Sequence, residues 1–154
     1  MKKVVFASAG NLADDGKLTE EIKLAYANLL GQLSKRKICH EAVRRQIDHI
    51  VTEGRKSEVL LWLFREGVLI GTAQASLVYT PYPRAYVNYV IIDSEWRRQG
   101  WGRRLMSELI RRIAAKWPEV GEIELTSNSA LGTRGFYKGL GFVFRDTAVY
   151  HRQI

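Results

Sequence analysis

The most constraining feature of the sequence is a strand that leads through a glycine turn into a helix, over residues 85–117. Ala85–Ile92 consists almost entirely of β-branched and aromatic residues, which favour a buried strand. The turn Arg97-Arg98-Gln99-Gly100-Trp101-Gly102 follows. Apolar residues at helical spacing predict a helix from Gly100 to Trp117, which Pro118 ends. A strand and a helix joined in this way predict a mixed α/β domain.

The flanking segments extend this pattern over residues 1–154, which we expect to form one domain. Before the turn we predict a strand at 2–9, helices at 19–33 and 40–53, and strands at 59–64 and 68–79 joined by a hairpin at Glu66-Gly67. After it we predict a strand at 122–127, a short helix at 131–140 and a closing strand at 142–150. Trp62 and Trp117 are expected in the core.

The positive charge of the chain is concentrated in one segment. The formal net charge is +8, and the stretch from Arg97 to Trp117 carries seven basic residues against the single acid Glu108, or +6. Such a local excess fits one anion-binding site as well as it fits a nucleic-acid groove.

The turn itself has the chemistry of a phosphate cradle. Glycines allow the backbone to approach an anion, the first N–H groups of a helix lack internal partners, and the helix dipole favours negative charge there. Arginines at the mouth add charge-assisted hydrogen bonds. The alternative is that Gly100 and Gly102 only turn the chain and the arginines are a solvated face. The P-loop pattern is absent, and the dinucleotide pattern fails because residue 105 is leucine.

Two segments resemble the GNAT superfamily of acyl-CoA N-acetyltransferases. Arg97, Gly100 and Gly102 match the family's R/Q-x-x-G-x-G/A motif, after a strand that ends in Val90-Ile91-Ile92-Asp93. Downstream, Thr126-Ser127-Asn128 and Gly135–Phe142 are similar to the family's strand–Asn and F-Y-x-x-L-G-F elements. The predicted order of elements matches the family over the full 154 residues.

The resemblance implies a sheet whose fourth and fifth strands splay apart to hold acetyl-CoA. The pyrophosphate would lie on backbone N–H groups of Gln99, Gly100, Trp101, Gly102 and Arg103, with Arg97 and Arg98 nearby. The pantetheine would pair with Val90, Ile91 and Ile92 and contact Asn128. Tyr137 matches the general acid, and N–H groups of the fourth strand would polarise the thioester carbonyl. The side chain of Trp101 is expected either to pack beneath the turn or to cover the cofactor.

The acceptor side departs from the family pattern. Many members carry a glutamate as base on the fourth strand, where this chain has Asn88, and an amide is not a useful base. Glu124, Glu53, His40 and His49 are other candidates, each more readily explained as structural or surface residues, and water relaying the proton to solvent stays an alternative. Tyr82, in the loop before this strand, and Asn88 are expected to bind the acceptor.

Other chemistries have less support in the sequence. Three histidines and Cys39 form no metal-ligand pattern, and there is no G-x-S-x-G nucleophile elbow. We therefore expect an N-acetyltransferase acting on a small-molecule or protein amine, without a metal, nucleic acid or membrane as partner, located in the cytoplasm and able to form a homodimer. The rivals are a degenerate module that binds acyl-CoA without turnover and, less favoured, a nucleic-acid-binding protein that uses the 97–116 segment.

Overall fold

Apart from one additional short helix after the first strand, the helices and strands follow the predicted succession as far as the fifth strand. The computed structural model describes residues 2–33, 36–127 and 132–154. The elements are β1 (Val4–Ser8), α1 (Ala9–Asp14), α2 (Glu20–Leu30), α3 (His40–Val51), β2 (Glu58–Arg65), β3 (Val68–Val78), β4 (Arg84–Ile92), α4 (Trp101–Lys116), β5 (Glu122–Leu125) and α5 (Arg134–Gly139).

The five strands form one mixed sheet in the order β1-β2-β3-β4-β5. The first four are antiparallel neighbours, whereas β4 and β5 run parallel. The turn between β2 and β3 places Glu66 at φ 51° and Gly67 at φ 80°. Positive φ at both central residues is the signature of the type I′ hairpin, whose twist matches that of the strands it joins. The predicted hairpin is therefore confirmed.

Each face of the sheet carries its own core. On one face Leu105, Met106, Leu109 and Ile113 of α4 pack on alternate residues of β2, β3 and β4. On the other face α1, α2 and α3 cover the remaining residues of β2, with Trp62 fully buried against Tyr26 at a ring-centroid distance of 5.4 Å. Trp117 is also buried, so both tryptophans expected in the core lie there.

β4 and β5 pair only over the first half of β4. The pairs run from Arg84 with Glu122 to Val87 with Leu125, and β4 then continues to Ile92. The two strands therefore separate after Val87, which confirms the predicted splay and opens a gap beside residues 88–92. None of the helices in the described ranges is long and apolar enough to cross a lipid bilayer.

One helix was missed by the sequence analysis. The chain turns directly from β1 into α1, where a strand to residue 9 and a break at Gly10-Asn11 were predicted. The Ser8 side chain caps this helix by accepting from the Asn11 N–H at 3.1 Å. A serine N-cap outweighs a single glycine in the first turn, because it satisfies one of the otherwise unpaired donors.

The predicted closing strand at 142–150 is wrong. Residues 142–154 form no helix or strand. Strand-forming side chains are not sufficient, since a strand also needs a neighbour for its backbone groups. Here the Phe142 N–H bonds back to the Tyr137 carbonyl and the Thr147 N–H to the Arg145 carbonyl, so both are used locally.

Candidate active site

The N-terminus of α4 leaves backbone donors free for an anion. Gly100 precedes the helix at φ 83°, and no side chain caps it. The first backbone bond of the helix runs from the Arg104 N–H to the Gly100 carbonyl at 3.2 Å. The N–H groups of Trp101, Gly102 and Arg103 come before that bond and have no partner within the helix. This is the arrangement that binds phosphate at helix N-termini.

The predicted basic residues of the turn take different positions. Arg98 has φ 61°, is exposed and makes no side-chain bond to any residue that the structure describes. Arg97 instead donates from Nε to the Ile92 carbonyl at 2.8 Å, and Gln99 donates to the Glu95 carbonyl at 3.3 Å. Arg103 donates to the Gly139 carbonyl at the end of α5 at 3.1 Å. Arg98 is thus the cation with most freedom to meet an anion, while Arg97, Gln99 and Arg103 also shape the turn.

Gln32, which the sequence analysis did not single out, braces the start of this turn. Its amide nitrogen donates to the Asp93 carboxylate at 2.8 Å, and its carbonyl oxygen accepts from the Ser94 N–H at 2.9 Å. It lies just after α2, about sixty positions earlier in the chain. No local motif marks such a residue, so only the folded chain reveals it.

Gly102 allows α4 to approach α5 closely. A Cβ at this position would lie 3.3 Å from the Phe136 ring and 3.7 Å from Ile92. The neighbouring Trp101 ring packs against the α4-side core, and the guanidinium groups of Arg65 and Arg104 lie over it at 5.5 and 4.8 Å from its centroid. Of the two roles expected for the Trp101 side chain, the structure shows packing.

β4 contains a bulge beside the gap. Thr72 pairs with Ile91 and Gln74 with Asn88, so Tyr89 and Val90 face the single residue Ala73. Tyr89 has φ 52°, which is uncommon for a residue with a bulky side chain. A bulge leaves one residue unpaired and re-aims its backbone groups, and such strain concentrates at functional sites. Val90, Ile91 and Ile92 all lie on the part of β4 that β5 leaves uncovered.

Tyr137 lies on α5 in an aromatic cluster. Its ring contacts Phe136 and Phe142 edge-on, with centroids 5.0 and 5.8 Å apart. Burial raises the pKa of the Tyr137 phenol above its ordinary value of 10.0. The hydroxyl has no hydrogen-bond partner in the described parts of the chain. A protonated phenol without a competing partner is suited to donate a proton.

The acceptor side of β4 is polar. Asn88 lies half-buried opposite Gln74, and Tyr82 is 84% exposed in the loop before β4. Glu124, the alternative base on β5, accepts from Arg84 at 2.7 Å and from Arg145 at 3.2 Å. Both contacts engage Oε1 of Glu124, so this carboxylate is held in two ion pairs beside the sheet. Asn128, expected to contact pantetheine, lies outside the described residues.

The remaining alternative bases lie on or just after α3. His49 and Glu53 form an exposed pair, with Nδ1 3.6 Å from the carboxylate, and His40 is exposed at the first position of α3. These positions agree with the surface role that the sequence analysis favoured for them.

Comparison with known proteins decides the family. A family model described as "Acetyltransferase (GNAT) family" matches residues 27–142, three quarters of the chain. The chain belongs to the GNAT acetyltransferase family. This match includes the glycine turn, the bulged strand and Tyr137. Among curated proteins, none matches the sequence.

Solved structures share the GNAT fold over nearly the full chain. An acetyltransferase from Trypanosoma brucei has a TM-score of 0.75 at 17% identity, covering 98% of this chain and 100% of its own. A glucosamine-6-phosphate N-acetyltransferase from Arabidopsis thaliana has a TM-score of 0.73 at 16% identity, covering 99% and 98%. An aminoglycoside N-acetyltransferase in complex with CoA has a TM-score of 0.77 at 16% identity, covering 99% and 96%. Identities this low establish the likeness of fold.

Asn88 permits a first prediction. Replacing Asn88 with alanine should lower kcat by less than about tenfold, since losing a positioned acid or base costs ~10²–10⁴ and an amide is neither. Steady-state rates with acetyl-CoA and an accepted amine provide the measurement. A larger loss of kcat at unchanged acetyl-CoA affinity would show that the amide orients the amine or its water.

Proposed function

We propose that this chain is an acetyl-CoA-dependent N-acetyltransferase that moves an acetyl group to a primary amine by direct attack, and that residues 1–154 are one N-acetyltransferase domain. The observation that carries the proposal is the bulge at Tyr89–Val90, which lies where β4 and β5 separate. The uncapped α4 N-terminus follows β4 directly, and Tyr137 lies on the helix that packs against α4.

The chain's own groups fit the cosubstrate. Free N–H groups at residues 101–103, with Arg98 beside them, match a pyrophosphate, and a Cβ at Gly102 would alter this cradle. The uncovered edge of Val90–Ile92 offers backbone groups to the amides of a pantetheine arm. That a structural neighbour was solved with CoA supports the same assignment.

Acetyl-CoA supplies the acetyl group as a thioester. The bulge holds a backbone N–H where negative charge develops on the carbonyl oxygen as the amine nitrogen bonds to the carbonyl carbon. As the C–S bond breaks, the Tyr137 hydroxyl gives its proton to the departing sulfur. The proton lost by the amine leaves through water, because the Asn88 amide is not a base and the Glu124 carboxylate is engaged by Arg84 and Arg145. The phenol is then reprotonated from solvent.

The acceptor site lies on the polar face of β4, with Asn88 and Tyr82 as binding residues. The chain's net charge of +8 disfavours polycationic acceptors through long-range repulsion.

A second candidate is a module that binds acyl-CoA without turnover. It is favoured by one observation, that β4 carries Asn88 where the family pattern has a glutamate, while the Glu124 carboxylate is engaged by Arg84 and Arg145. Nucleic-acid binding has less support, because Arg111 and Arg112 of the basic segment are both paired with Glu108.

The test is release of free thiol from acetyl-CoA across a panel of amines that includes amino acids, small amines and peptides. We expect thiol release that depends on both enzyme and amine, with the acetylated amine identified by mass. A separate measurement of thermal stabilisation by CoA distinguishes the enzyme from the binding module. Stabilisation without turnover on any amine would favour the binding module. The absence of both stabilisation and turnover would refute both candidate functions.

A further inference from the structure

One arginine of β2 stacks on two tryptophans beside the glycine turn. The Arg65 guanidinium lies over the Trp96 ring at 4.6 Å from its centroid and over the Trp101 ring at 5.5 Å. Arg65 is the last residue of β2, and Trp101 is the first residue of α4. Trp96 lies before the turn, so a single side chain contacts the polypeptide on both sides of residues 97–100.

The two indole rings are the groups that hold Arg65 in place. Among the residues that the structure describes, its guanidinium makes no ion pair and no hydrogen bond, and its Nε is buried without a partner. Both rings pack against the core on the α4 side of the sheet, and cation–π attraction strengthens as water is excluded. Buried arginines are ordinarily paired with an acid. Arg65 has no such partner in the described chain, so its charge is available to a ligand.

Further positive charge without an acidic partner lies at the N-terminal end of α4. Arg98, Arg103 and Arg104 make no ion pair with any described residue, and the Arg104 guanidinium lies over the Trp101 ring at 4.8 Å. Later in the same helix, by contrast, Glu108 forms ion pairs with two arginines at 2.7 Å each. Charge that no acid compensates therefore lies around the free N–H groups at the start of the helix.

We propose that Arg65 is a positioning residue for the phosphates of acetyl-CoA. Its stacking on Trp96 and Trp101 holds the two ends of the turn at the spacing at which the N–H groups of residues 101–103 meet an anion. A turn that is fixed before binding loses less conformational entropy when the ligand arrives. The inference rests on the proposed function, since these phosphates are those of the proposed cosubstrate.

The planar shape of the guanidinium is what this arrangement requires. A guanidinium stacks on aromatic faces, whereas the lysine ammonium is a compact and strongly hydrated point charge. Arg65→Lys therefore keeps the positive charge and loses most of the stacking. Arg65→Met loses both the charge and the stacking but keeps an unbranched side chain.

Calorimetric titration with CoA tests the proposal. Arg65→Met should raise the Kd for CoA about tenfold, as expected for the loss of two cation–π contacts, and Arg65→Lys should raise it by a smaller factor. With an amine found in the panel above, KM for acetyl-CoA should rise at unchanged kcat, the pattern of lost ground-state binding. The control Arg55→Met removes the same charge from another half-buried arginine, which pairs with Asp14 and lies before the opposite end of β2. It should leave the Kd unchanged.

Two results of this titration would overturn the proposal. One is a normal CoA affinity in Arg65→Met. The other is an Arg65→Lys variant that binds CoA as tightly as the unaltered protein, because charge without stacking would then suffice.

A double-mutant cycle with Trp96 separates positioning from a general loss of structure. Trp96→Leu should weaken CoA binding by itself, and the double variant Arg65→Met/Trp96→Leu should bind no more weakly than Arg65→Met, because both changes break the same contact. Additive losses, or normal affinity in Trp96→Leu, would contradict the proposal even if Arg65→Met did not fold. Absence of CoA binding by the unaltered protein would refute the proposed function as well, whereas normal affinity in Arg65→Met would refute this inference alone.

Discussion

Replacing Tyr137 with phenylalanine should lower kcat by about 10²-fold, the low end of the range for a general acid. The leaving sulfur of CoA is an alkyl thiol, close to a cysteine with pKa near 8.5, so it departs tolerably even without a proton. Burial raises the pKa of Tyr137, which keeps the phenol protonated at neutral pH and places its ionisation above pH 10. Ionisation of Tyr137 should therefore cause no loss of rate below that pH.

Three measurements on the Tyr137→Phe variant separate its roles. Acetyl-CoA affinity and melting temperature should stay nearly unchanged, because the ring contacts to Phe136 and Phe142 persist and the hydroxyl has no described partner to lose. Tyr150→Phe removes a hydroxyl from an exposed residue near the end of the chain and should leave the rate unchanged. Unaltered turnover in Tyr137→Phe would exclude the hydroxyl as the acid, and a large fall in melting temperature would assign it a structural role.

Reversing the charge at Arg98 should weaken acetyl-CoA binding roughly 10- to 100-fold, since a hydrogen bond to a charged group contributes about 1.5–3 kcal/mol. Arg98 has a positive φ of 61°, which is uncommon for any residue with a side chain. Arg98→Glu keeps a side chain at this position, so the variant adds no new backbone constraint. The stabilisation of the protein by CoA, read as a shift in melting temperature, should shrink accordingly. Gly102 is a poorer choice for this test, because any side chain there also meets Phe136.

Lys17→Glu supplies the matched control for Arg98. It makes the same change in net charge at an exposed residue before α2, so it should retain the full CoA-induced shift. Arg98→Glu with normal CoA binding would mean that the phosphates lie elsewhere than on the turn.

Most of the fold could be predicted because its signals are local. Helical spacing from Leu105 to Trp117 and the stop at Pro118 gave α4 to within one residue at each end. The predicted helix at 131–140 is seen as α5 at Arg134–Gly139, although residues 128–131 lie outside the described chain. The strand predicted at 142–150 failed because pairing depends on a neighbour, and residue types report only the preference of one segment.

The candidate site also combines features that the sequence predicts with features that it does not. The glycine turn and Tyr137 carry recognisable motifs, so sequence alone could nominate them. The bulge at Tyr89 leaves no signal, because a non-glycine residue at positive φ results from the register that β3 imposes on β4. No sequence pattern predicts the role of Gln32 either, since its bonds to Asp93 and Ser94 depend on how α2 lies against the β4–α4 turn.

On the proposed function, the close approach of α4 to α5 limits which acyl carriers the protein can use. The Gly102–Phe136 contact and the Arg103–Gly139 bond hold the two helices together at separate points. The N-terminus of α4 and the Tyr137 hydroxyl are therefore held at one fixed spacing. On the proposed function, an acyl carrier with a shorter arm than CoA would seat its phosphate yet leave its thioester short of the phenol. The length of the carrier's arm, as much as its charge, then decides which thioesters are turned over.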